Sequence, residues 1–139
     1  MTTDHCVFCS VLAGRIPSEK LYEQEQITAF LDIAPISKGH TLVIPDRHIS
    51  HFDELTETEL VGLSKAVALL APRITRAVGA DGYNLGVNNG RAAGQIITHV
   101  HWHIIPRFEA DGLKSWPNRK TLSGELQQIA ESIRKELQP

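Results

Sequence analysis

The hydrophobic positions along the chain follow two spacings, one typical of helices and the other of strands. Near the N-terminus, apolar residues at helical spacing predict a short helix over 6–12, which ends near Gly14. Apolar runs at 27–32 and 41–44 predict strands, because both are short and are separated by turn-forming residues. Two further strands are predicted at 83–88 and 100–106.

The longest predicted helix begins at Thr56, where Thr56 and Glu59 have the spacing of a capping box. Pro72 lies inside this helix and is expected to kink it or to end it early. A last helix is predicted over 123–137, and the mixture of elements predicts an α+β fold in a single domain over 1–139. Two apolar stripes carry these predictions: Leu60, Leu63, Val67, Leu70, Ile74 and Val78 in the first helix, and Leu126, Ile129, Ile133 and Leu137 in the second.

Composition excludes several classes of protein. The chain has 139 residues, is 42% hydrophobic and carries a net charge of −2, which fits one globular domain. Its basic residues are not clustered, so we expect no nucleic-acid partner. No apolar run approaches the ~20 residues of a membrane span, and the segment 1–5 does not resemble a signal peptide. We therefore expect a cytoplasmic protein without a membrane partner.

Three histidines alternate with apolar residues at His99, His101 and His103. On a strand they share one face, with neighbouring imidazoles roughly 6.5–7 Å apart at the backbone. Each buried imidazole needs its own hydrogen-bonding partner, so three at this period favour a function over simple core packing. Two chemistries remain open at this point. The histidines can bind a transition metal, or one of them can attack an electrophile such as phosphorus.

The segment before the histidines favours phosphorus. Residues 88–95 are polar and contain two glycines, so they can present backbone N–H groups and amide donors to an anion.

These features together resemble the histidine-triad (HIT) family of nucleotide hydrolases and transferases, in particular bacterial members of its Hint branch. Residues 99–105 match the family signature, in which three histidines alternate with apolar residues. The similarity extends over most of the chain, through residues 6–9, 29–32, 39–45, His48, Gly94-Gln95 and Trp116-Pro117.

The resemblance implies the roles of individual residues. His101 would attack the α-phosphorus of a purine nucleotide and form a nucleotidyl-histidine that water hydrolyses, while His103 would contact the phosphate and its leaving side. Asp32 would accept hydrogen bonds from the ribose hydroxyls. Asn88, Gly94 and Gln95 match positions that hold the phosphate region. Val7, Phe8, Phe30, Ile33 and Ile97 are assigned to the apolar part of the nucleotide site, although ordinary core packing explains apolar residues equally well.

One position departs from the family pattern. Some members carry Ser or Thr directly after the Gly-Gln pair, and this chain has Ile96 there. Because Ile96 has no side-chain donor, turnover of phosphoramidates is expected to differ from that of relatives that carry the hydroxyl.

The two cysteines, Cys6 and Cys9, allow three interpretations: a redox pair, two buried thiols, or half of a zinc site. His48 and His99 occupy positions that resemble the other zinc ligands in relatives with this cysteine pair. The resemblance therefore implies a structural zinc held by Cys6, Cys9, His48 and His99, with no open coordination position. His5 and His51 are interpreted as surface residues.

The leading prediction is a hydrolase of nucleoside 5′-phosphoramidates or related nucleoside monophosphate conjugates. The alternatives are a dinucleoside polyphosphate hydrolase or phosphorylase, a zinc-stabilised nucleotide-binding regulatory protein with little turnover, and a metal-dependent hydrolase. The resemblance also implies a homodimer whose strands form one continuous sheet. Nothing in the periodicity shows this independently, and the helix that begins at Thr56 is only a candidate interface element.

Overall fold

A five-stranded antiparallel sheet forms the centre of the computed structural model, which describes residues 5–139. Residues 1–4 of the N-terminal segment considered above lie outside the described residues. The strands are β1 (Lys20–Gln24), β2 (Ile27–Leu31), β3 (Thr41–Pro45), β4 (Gly82–Val87) and β5 (Trp102–Arg107), arranged in the order β1-β2-β3-β5-β4. The helices are α1 (Val7–Leu12), α2 (Glu57–Val78) and α3 (Glu125–Glu136). This architecture confirms the predicted α+β fold.

Helix α2 covers one face of the sheet and forms the larger core. The predicted capping box is present, since Thr56 accepts a hydrogen bond from the Glu59 backbone and Glu59 accepts one from Thr56. Of the two outcomes expected at Pro72, a kink or an early end, the early end is wrong, because the helix continues to Val78. Burial offsets the missing N–H of the proline, because Leu70 and Ala71 before it and Ile74 after it are anchored in the core. The buried α2 residues are Gly62, Leu63, Ala66, Val67, Leu70, Ala71 and Ile74.

The opposite face of the sheet carries α1 and a smaller core. The predicted N-terminal helix is confirmed, with Cys6 as its N-cap residue. Its buried side chains pack on β2 and β3, so the N-terminus is held against the sheet. The buried members of this cluster are Cys6, Phe8, Val11, Phe30, Leu42 and Ile44.

Strand β1 was not predicted from the sequence. Its burial shows no alternation, because four of its five residues are exposed and only Tyr22 is half-buried. The turn that joins it to β2 places Glu25 and Gln26 at positive φ angles of 53° and 62°. Glycine or asparagine is usual in such a hairpin turn, and neither occurs here. The sequence therefore lacked both signals of the hairpin.

Strand β5 begins at Trp102 rather than at Val100, where it was predicted. The ladder with β3 pairs Val43 with Trp102 and stops there. Pro45, near the end of β3, has no N–H to donate, and its carbonyl accepts a hydrogen bond from the His99 ring instead. Two of the three histidines therefore precede the regular strand.

Helix α3 lies where it was predicted, but none of its residues is buried in the chain. Its stripe of Leu126, Ile129, Ile133 and Leu137 is exposed. No helix in residues 5–139 has both the length and the apolar character that crossing a membrane requires.

Candidate active site and metal centre

His101 lies on the face of the sheet opposite α2, and its ring is 8% exposed. Its neighbours Val100 and Ile104 point into the α2 core, as the predicted alternation requires. The Nδ1 atom of His101 lies 2.7 Å from the carbonyl oxygen of His99. A carbonyl only accepts hydrogen bonds, so Nδ1 of His101 carries the proton and donates it. The Nε2 atom of the neutral ring therefore keeps its lone pair.

His103 stands beside His101, with 4.8 Å between the ring centroids. Its Nδ1 atom lies 2.9 Å from Nε2 of His40, whose own Nδ1 accepts a hydrogen bond from the Ile36 backbone at 3.1 Å. Since Nδ1 of His40 accepts, the proton of that neutral ring is on Nε2 and is donated to His103. The Nε2–H of His103 is then a buried donor, and it has no partner among the described residues.

Burial keeps these imidazoles neutral. It lowers the pKa of His101, against the opposing effects of the His99 carbonyl and the Asp32 carboxylate. It also lowers the pKa of His103 to about 4, with further contributions from His101 and His40. Burial lowers the pKa of His40 as well. At neutral pH the site therefore presents one unprotonated nitrogen, from His101, and one N–H donor, from His103.

Asp32 follows β2 at the edge of this site. One of its oxygens accepts a hydrogen bond from the Ala34 backbone at 2.9 Å, and the other lies 3.7 Å from Nδ1 of His40. Its side chain is partly exposed, so the carboxylate can still accept hydrogen bonds from a bound molecule. The ligand atoms of Asp32, His40 and His103 also lie within 4.8 Å of one another, a spacing that a metal ion could use.

The predicted apolar residues fall into two groups. Phe8 and Phe30 are buried and pack edge to face at 5.5 Å, and Phe8 contacts the His101 ring at 5.0 Å. Ile97 is partly buried against the same cluster. Val7 and Ile33 are exposed, and the side chain of Ile33 is 93% exposed. Core packing therefore accounts for the phenylalanines, whereas Ile33 is free to contact a bound molecule.

The loop before the histidines is held by Gln95. The side-chain oxygen of Gln95 accepts from the Gly90 backbone, while its amide nitrogen donates to the carbonyls of Ser50 and Ile97. Both ends of this buried amide are thus engaged within the chain, and Gln95 fixes the shape of the loop. Gly94 has a φ of 89°, and a Cβ atom built there would lie 3.4 Å from the amide nitrogen of Asn88. These contacts bring the three predicted phosphate-site residues into one loop.

Ile96 follows directly, and its side chain is 89% exposed. It neither packs in the core nor offers a hydrogen bond, so it presents an apolar surface directly after Gln95.

The four predicted metal ligands converge beside α1. Sγ of Cys6 lies 3.5 Å from Nδ1 of His99, and Sγ of Cys9 lies 3.4 Å from Nδ1 of His48 and 3.6 Å from Nδ1 of His99. All four ligand atoms lie within 4.8 Å of one another. Zinc bonds of ~2.3 Å to sulfur and ~2.0–2.1 Å to nitrogen, in a tetrahedron, separate S and N atoms by about 3.5 Å. The observed spacing fits that geometry.

The chemistry of this donor set also fits zinc. Nε2 of His99 donates to the Pro45 carbonyl at 2.8 Å, which leaves the Nδ1 lone pair directed at the cysteines. Burial lowers the pKa of His99 to about 4, so the ring is neutral. Burial and the neighbouring Cys6 raise the pKa of the Cys9 thiol to about 11 when no cation is bound. His51 is exposed and pairs with Glu54, so His48 and not His51 is the candidate ligand.

The sequence interpretation missed the role of His40. The residue appeared only within a matched motif, yet it orients His103. The alternation of side chains along a strand could have predicted this contact. Leu42 pairs with His103 across the sheet, and His40, two positions before Leu42, lies on the same side.

Comparison with known proteins places the chain in a family. The profile of the HIT domain matches residues 13–110. An adenosine 5′-monophosphoramidase of Schizosaccharomyces pombe is 42% identical over 130 residues, which cover 92% of this chain and 95% of the relative. An adenylylsulfatase of Arabidopsis thaliana is 39% identical over 138 residues, which cover 95% of this chain and 69% of that protein.

Solved structures show the same fold. The crystal structure of SMU.412c from Streptococcus mutans matches with a TM-score of 0.90 and 40% identity, and the match covers 99% of this chain and 88% of that one. A zinc-bound histidine triad family protein from Mycobacterium smegmatis matches with a TM-score of 0.70 and 32% identity, over 94% and 99% of the two chains. By the profile match, the sequence relatives and the shared fold, this chain belongs to the histidine-triad (HIT) family.

Proposed function

We propose that the chain is a nucleotidyl hydrolase that cleaves nucleoside 5′-phosphoramidates, or related conjugates of a nucleoside monophosphate, through a nucleotidyl intermediate on His101. The hydrogen bond from Nδ1 of His101 to the His99 carbonyl is the observation that carries this proposal. It holds the neutral ring with the Nε2 lone pair free, and a neutral imidazole nitrogen is an effective nucleophile at phosphorus. Relatives named as an adenosine 5′-monophosphoramidase and an adenylylsulfatase support this reaction class.

In the first step, Nε2 of His101 forms a bond to the α-phosphorus while the bond from phosphorus to the leaving group breaks. The ring becomes a cation, and its Nδ1–H continues to donate to the His99 carbonyl. This carbonyl stabilises the charge that develops on the ring. The unpartnered Nε2–H of His103 is placed to donate to the phosphate or to the departing atom.

A departing amine takes the electron pair of the P–N bond and requires a proton. The His40–His103 pair can take up one proton from solvent when the anionic substrate binds, because the phosphate and the Asp32 carboxylate both favour a cation there. The pair then passes this proton through Nε2 of His103 to the nitrogen and returns to neutrality.

In the second step, water attacks phosphorus and the P–N bond to His101 breaks. The imidazole leaves with the electron pair as a neutral ring, and the proton lost by water goes to solvent. The nucleoside monophosphate is released, and His101 returns to its starting state with Nδ1 protonated.

The nucleotide is assigned to the surface between Asp32 and the loop 88–97. The Asp32 carboxylate accepts from the ribose hydroxyls, and the exposed side chain of Ile33 contacts a purine base. Asn88 and Gly94 meet the phosphate region, while Gln95 acts through the loop that it holds. Phe8 and Phe30 form the apolar floor beneath His101.

Zinc has a structural role in this proposal. Cys6, Cys9, His48 and His99 would hold the ion, and four protein ligands leave no coordination position for water. The ligand His99 also supplies the carbonyl that orients His101, so the metal site would stabilise the segment that carries the nucleophile.

Hydrolysis of adenosine 5′-phosphoramidate by the zinc-loaded chain tests the reaction. His101→Ala is expected to reduce kcat at least about 10³-fold, because the nucleophile is lost. His51→Asn is the matched control: it replaces an exposed histidine outside the site with another helix-capping residue. Tight nucleotide binding without turnover by the wild-type chain would instead favour a regulatory protein, and turnover confined to diadenosine tetraphosphate would favour the polyphosphate hydrolase.

We infer that the chain forms a homodimer through β4. In the described part of the chain, this edge strand has no neighbour on one side, and it contains no Lys, Pro or other residue that blocks edge pairing. Tyr83 and Leu85 on it are exposed. Pairing of β4 with β4 of a second copy would make one continuous sheet of the two subunits.

A further inference from the structure

A groove with a volume of about 440 Å³ extends over β4, β5 and the segment that follows β5. His103 and Asn88 line it, as do Lys114 and Trp116. It contains none of the residues assigned to the nucleoside, such as Asp32 or Ile33. In the proposed reaction, where the nucleoside lies beside Asp32, this groove is the open space on the other side of His103.

The groove carries positive charge that is not neutralised. Among residues 5–139, no carboxylate lines it, and its two lysine or arginine side chains are Arg107 and Lys114. The charge of Arg107 is already paired, because it donates to both oxygens of Asp111 at 2.7 and 3.1 Å, and it also donates to Asn84 at 2.7 Å and to the Leu113 carbonyl at 3.0 Å. Lys114, in contrast, makes no hydrogen bond or ion pair with any residue in 5–139. Its ammonium group is the cation available to a ligand in this groove.

The groove also has room beside the reacting atoms. Gly86 is the cross-strand partner of His103, so both residues face the same side of the sheet. A Cβ atom built on Gly86 would meet nothing within 4 Å. A leaving group larger than ammonia can therefore occupy the space between His103 and Lys114.

We propose that Lys114 makes this groove selective for nucleotides whose leaving group is an oxyanion, such as sulfate or phosphate attached to the α-phosphate. This inference rests on the proposed function. When the P–O bond to sulfate breaks, the oxygen keeps the electron pair and sulfate departs as a dianion without needing a proton. Lys114 lines the same groove as His103, and a cation in that groove stabilises the departing dianion more in the transition state than in the ground state. One relative of this chain is named an adenylylsulfatase.

The ratio of kcat/KM for adenosine 5′-phosphosulfate to kcat/KM for adenosine 5′-phosphoramidate tests the inference. Lys114→Gln is expected to lower this ratio about three- to tenfold, which is the range for one partly exposed charge. Lys114→Arg keeps the charge and should restore most of the ratio. Lys120→Gln removes a lysine that does not line the groove and should leave the ratio unchanged. The phosphosulfate rate should also fall with ionic strength more steeply in the wild type than in Lys114→Gln.

A parallel measurement with diadenosine tetraphosphate distinguishes sulfate from a polyphosphate as the preferred oxyanion. A larger effect of Lys114→Gln on either anionic substrate than on the phosphoramidate supports the inference. An unchanged ratio in an active Lys114→Gln variant would overturn the inference alone. A wild-type chain that cleaves none of the three substrates would instead contradict the proposed function on which the inference rests.

Discussion

At the scale of single residues, hydrogen bonds to backbone atoms determine what each histidine can do. The His99 carbonyl fixes the proton of His101 on Nδ1, and the Ile36 N–H fixes the proton of His40 on Nε2. Because His40 then donates to His103, the two neighbouring rings of the site present opposite properties: a lone pair on His101 and an N–H on His103. Identical side chains thus acquire different roles from backbone contacts.

The pKa of His101 predicts the acid limb of the pH profile. Burial lowers this pKa below the ordinary value of 6.5, so the nucleophile stays neutral through pH 7 and becomes protonated only at lower pH. With adenosine 5′-phosphosulfate, whose leaving group needs no proton, kcat/KM should stay level from pH 8 to 7 and fall only at lower pH. A fall that already begins above pH 7 would contradict the assignment.

Substitution of His40 should change the protonation of His103 and leave the nucleophile His101 unchanged. In His40→Ala, Nδ1 of His103 loses its donor, so the proton of that ring is no longer confined to Nε2. We expect kcat for adenosine 5′-phosphoramidate to fall about 10- to 100-fold, with a smaller effect on the phosphosulfate, whose leaving group takes no proton. His40→Gln, which can still donate an N–H, should retain more activity. Equal losses on both substrates would contradict the proton role of the pair.

At the scale of elements, α1 and the histidine segment are joined by the four metal ligands. Cys6 and Cys9 lie at the N-terminal end of α1, His48 follows β3, and His99 precedes β5. A bound zinc therefore links three segments that are distant in sequence, and its loss should loosen all of them.

Removal of zinc is therefore expected to lower the thermal stability of the chain before it lowers the rate of hydrolysis. Cys9→Ser, or exhaustive chelation of the wild type, should lower Tm by about 5–15 °C, because the free energy of metal binding contributes to folding. The zinc content of the wild type, measured by mass spectrometry, should be one ion per chain. A chain that binds no zinc, or whose activity disappears on chelation with Tm unchanged, would contradict a structural site.

The sequence predicted those elements that have a strong local pattern. The apolar stripe and capping box of α2 sufficed for that helix, and the apolar runs sufficed for β2 and β3. Strand β1 was missed because it is exposed and turns through Glu25 and Gln26, which favour no such turn. The early end at Pro72 was wrong because tertiary burial outweighed a local cost.

The candidate site likewise contains features that the sequence predicted and features that it could not predict. The convergence of Cys6, Cys9, His48 and His99 followed from residue types and a family resemblance, and the structure brings these four residues together. The bonds that His40 and Gln95 make to the backbone could not be predicted, because they depend on which backbone atoms lie opposite each side chain.

At the scale of the whole molecule, the two edges of the sheet differ. Strand β1 contains Lys20 and Glu23, charged residues that discourage pairing with another chain, whereas β4 contains no charged residue. The exposed α3 stripe is a further apolar surface that the isolated chain leaves uncovered. This asymmetry supports a dimer through β4.

Substitution of Leu85 tests that assembly. Leu85→Lys places a charge on β4 and, by repulsion between two copies, should convert a dimer into a monomer. Light scattering after size-exclusion chromatography measures the mass directly. Leu21→Lys, on the opposite edge of the sheet, is the control and should leave the mass unchanged. A wild-type chain that is already monomeric, or a Leu85→Lys variant that remains dimeric, would contradict pairing through β4.

Detection of the covalent intermediate on His101 is the most direct test of the proposed mechanism. The wild-type chain is mixed with adenosine 5′-phosphosulfate labelled with ³²P at the α-phosphate, quenched in alkali to preserve a phosphorus–nitrogen bond, and analysed by peptide mapping. If His101 is the nucleophile, the label is expected on the peptide that contains His101, attached at that imidazole, and no label is expected in His101→Ala. Label on His103 or another residue, or turnover of the phosphosulfate by His101→Ala at the wild-type rate, would contradict His101 as the nucleophile.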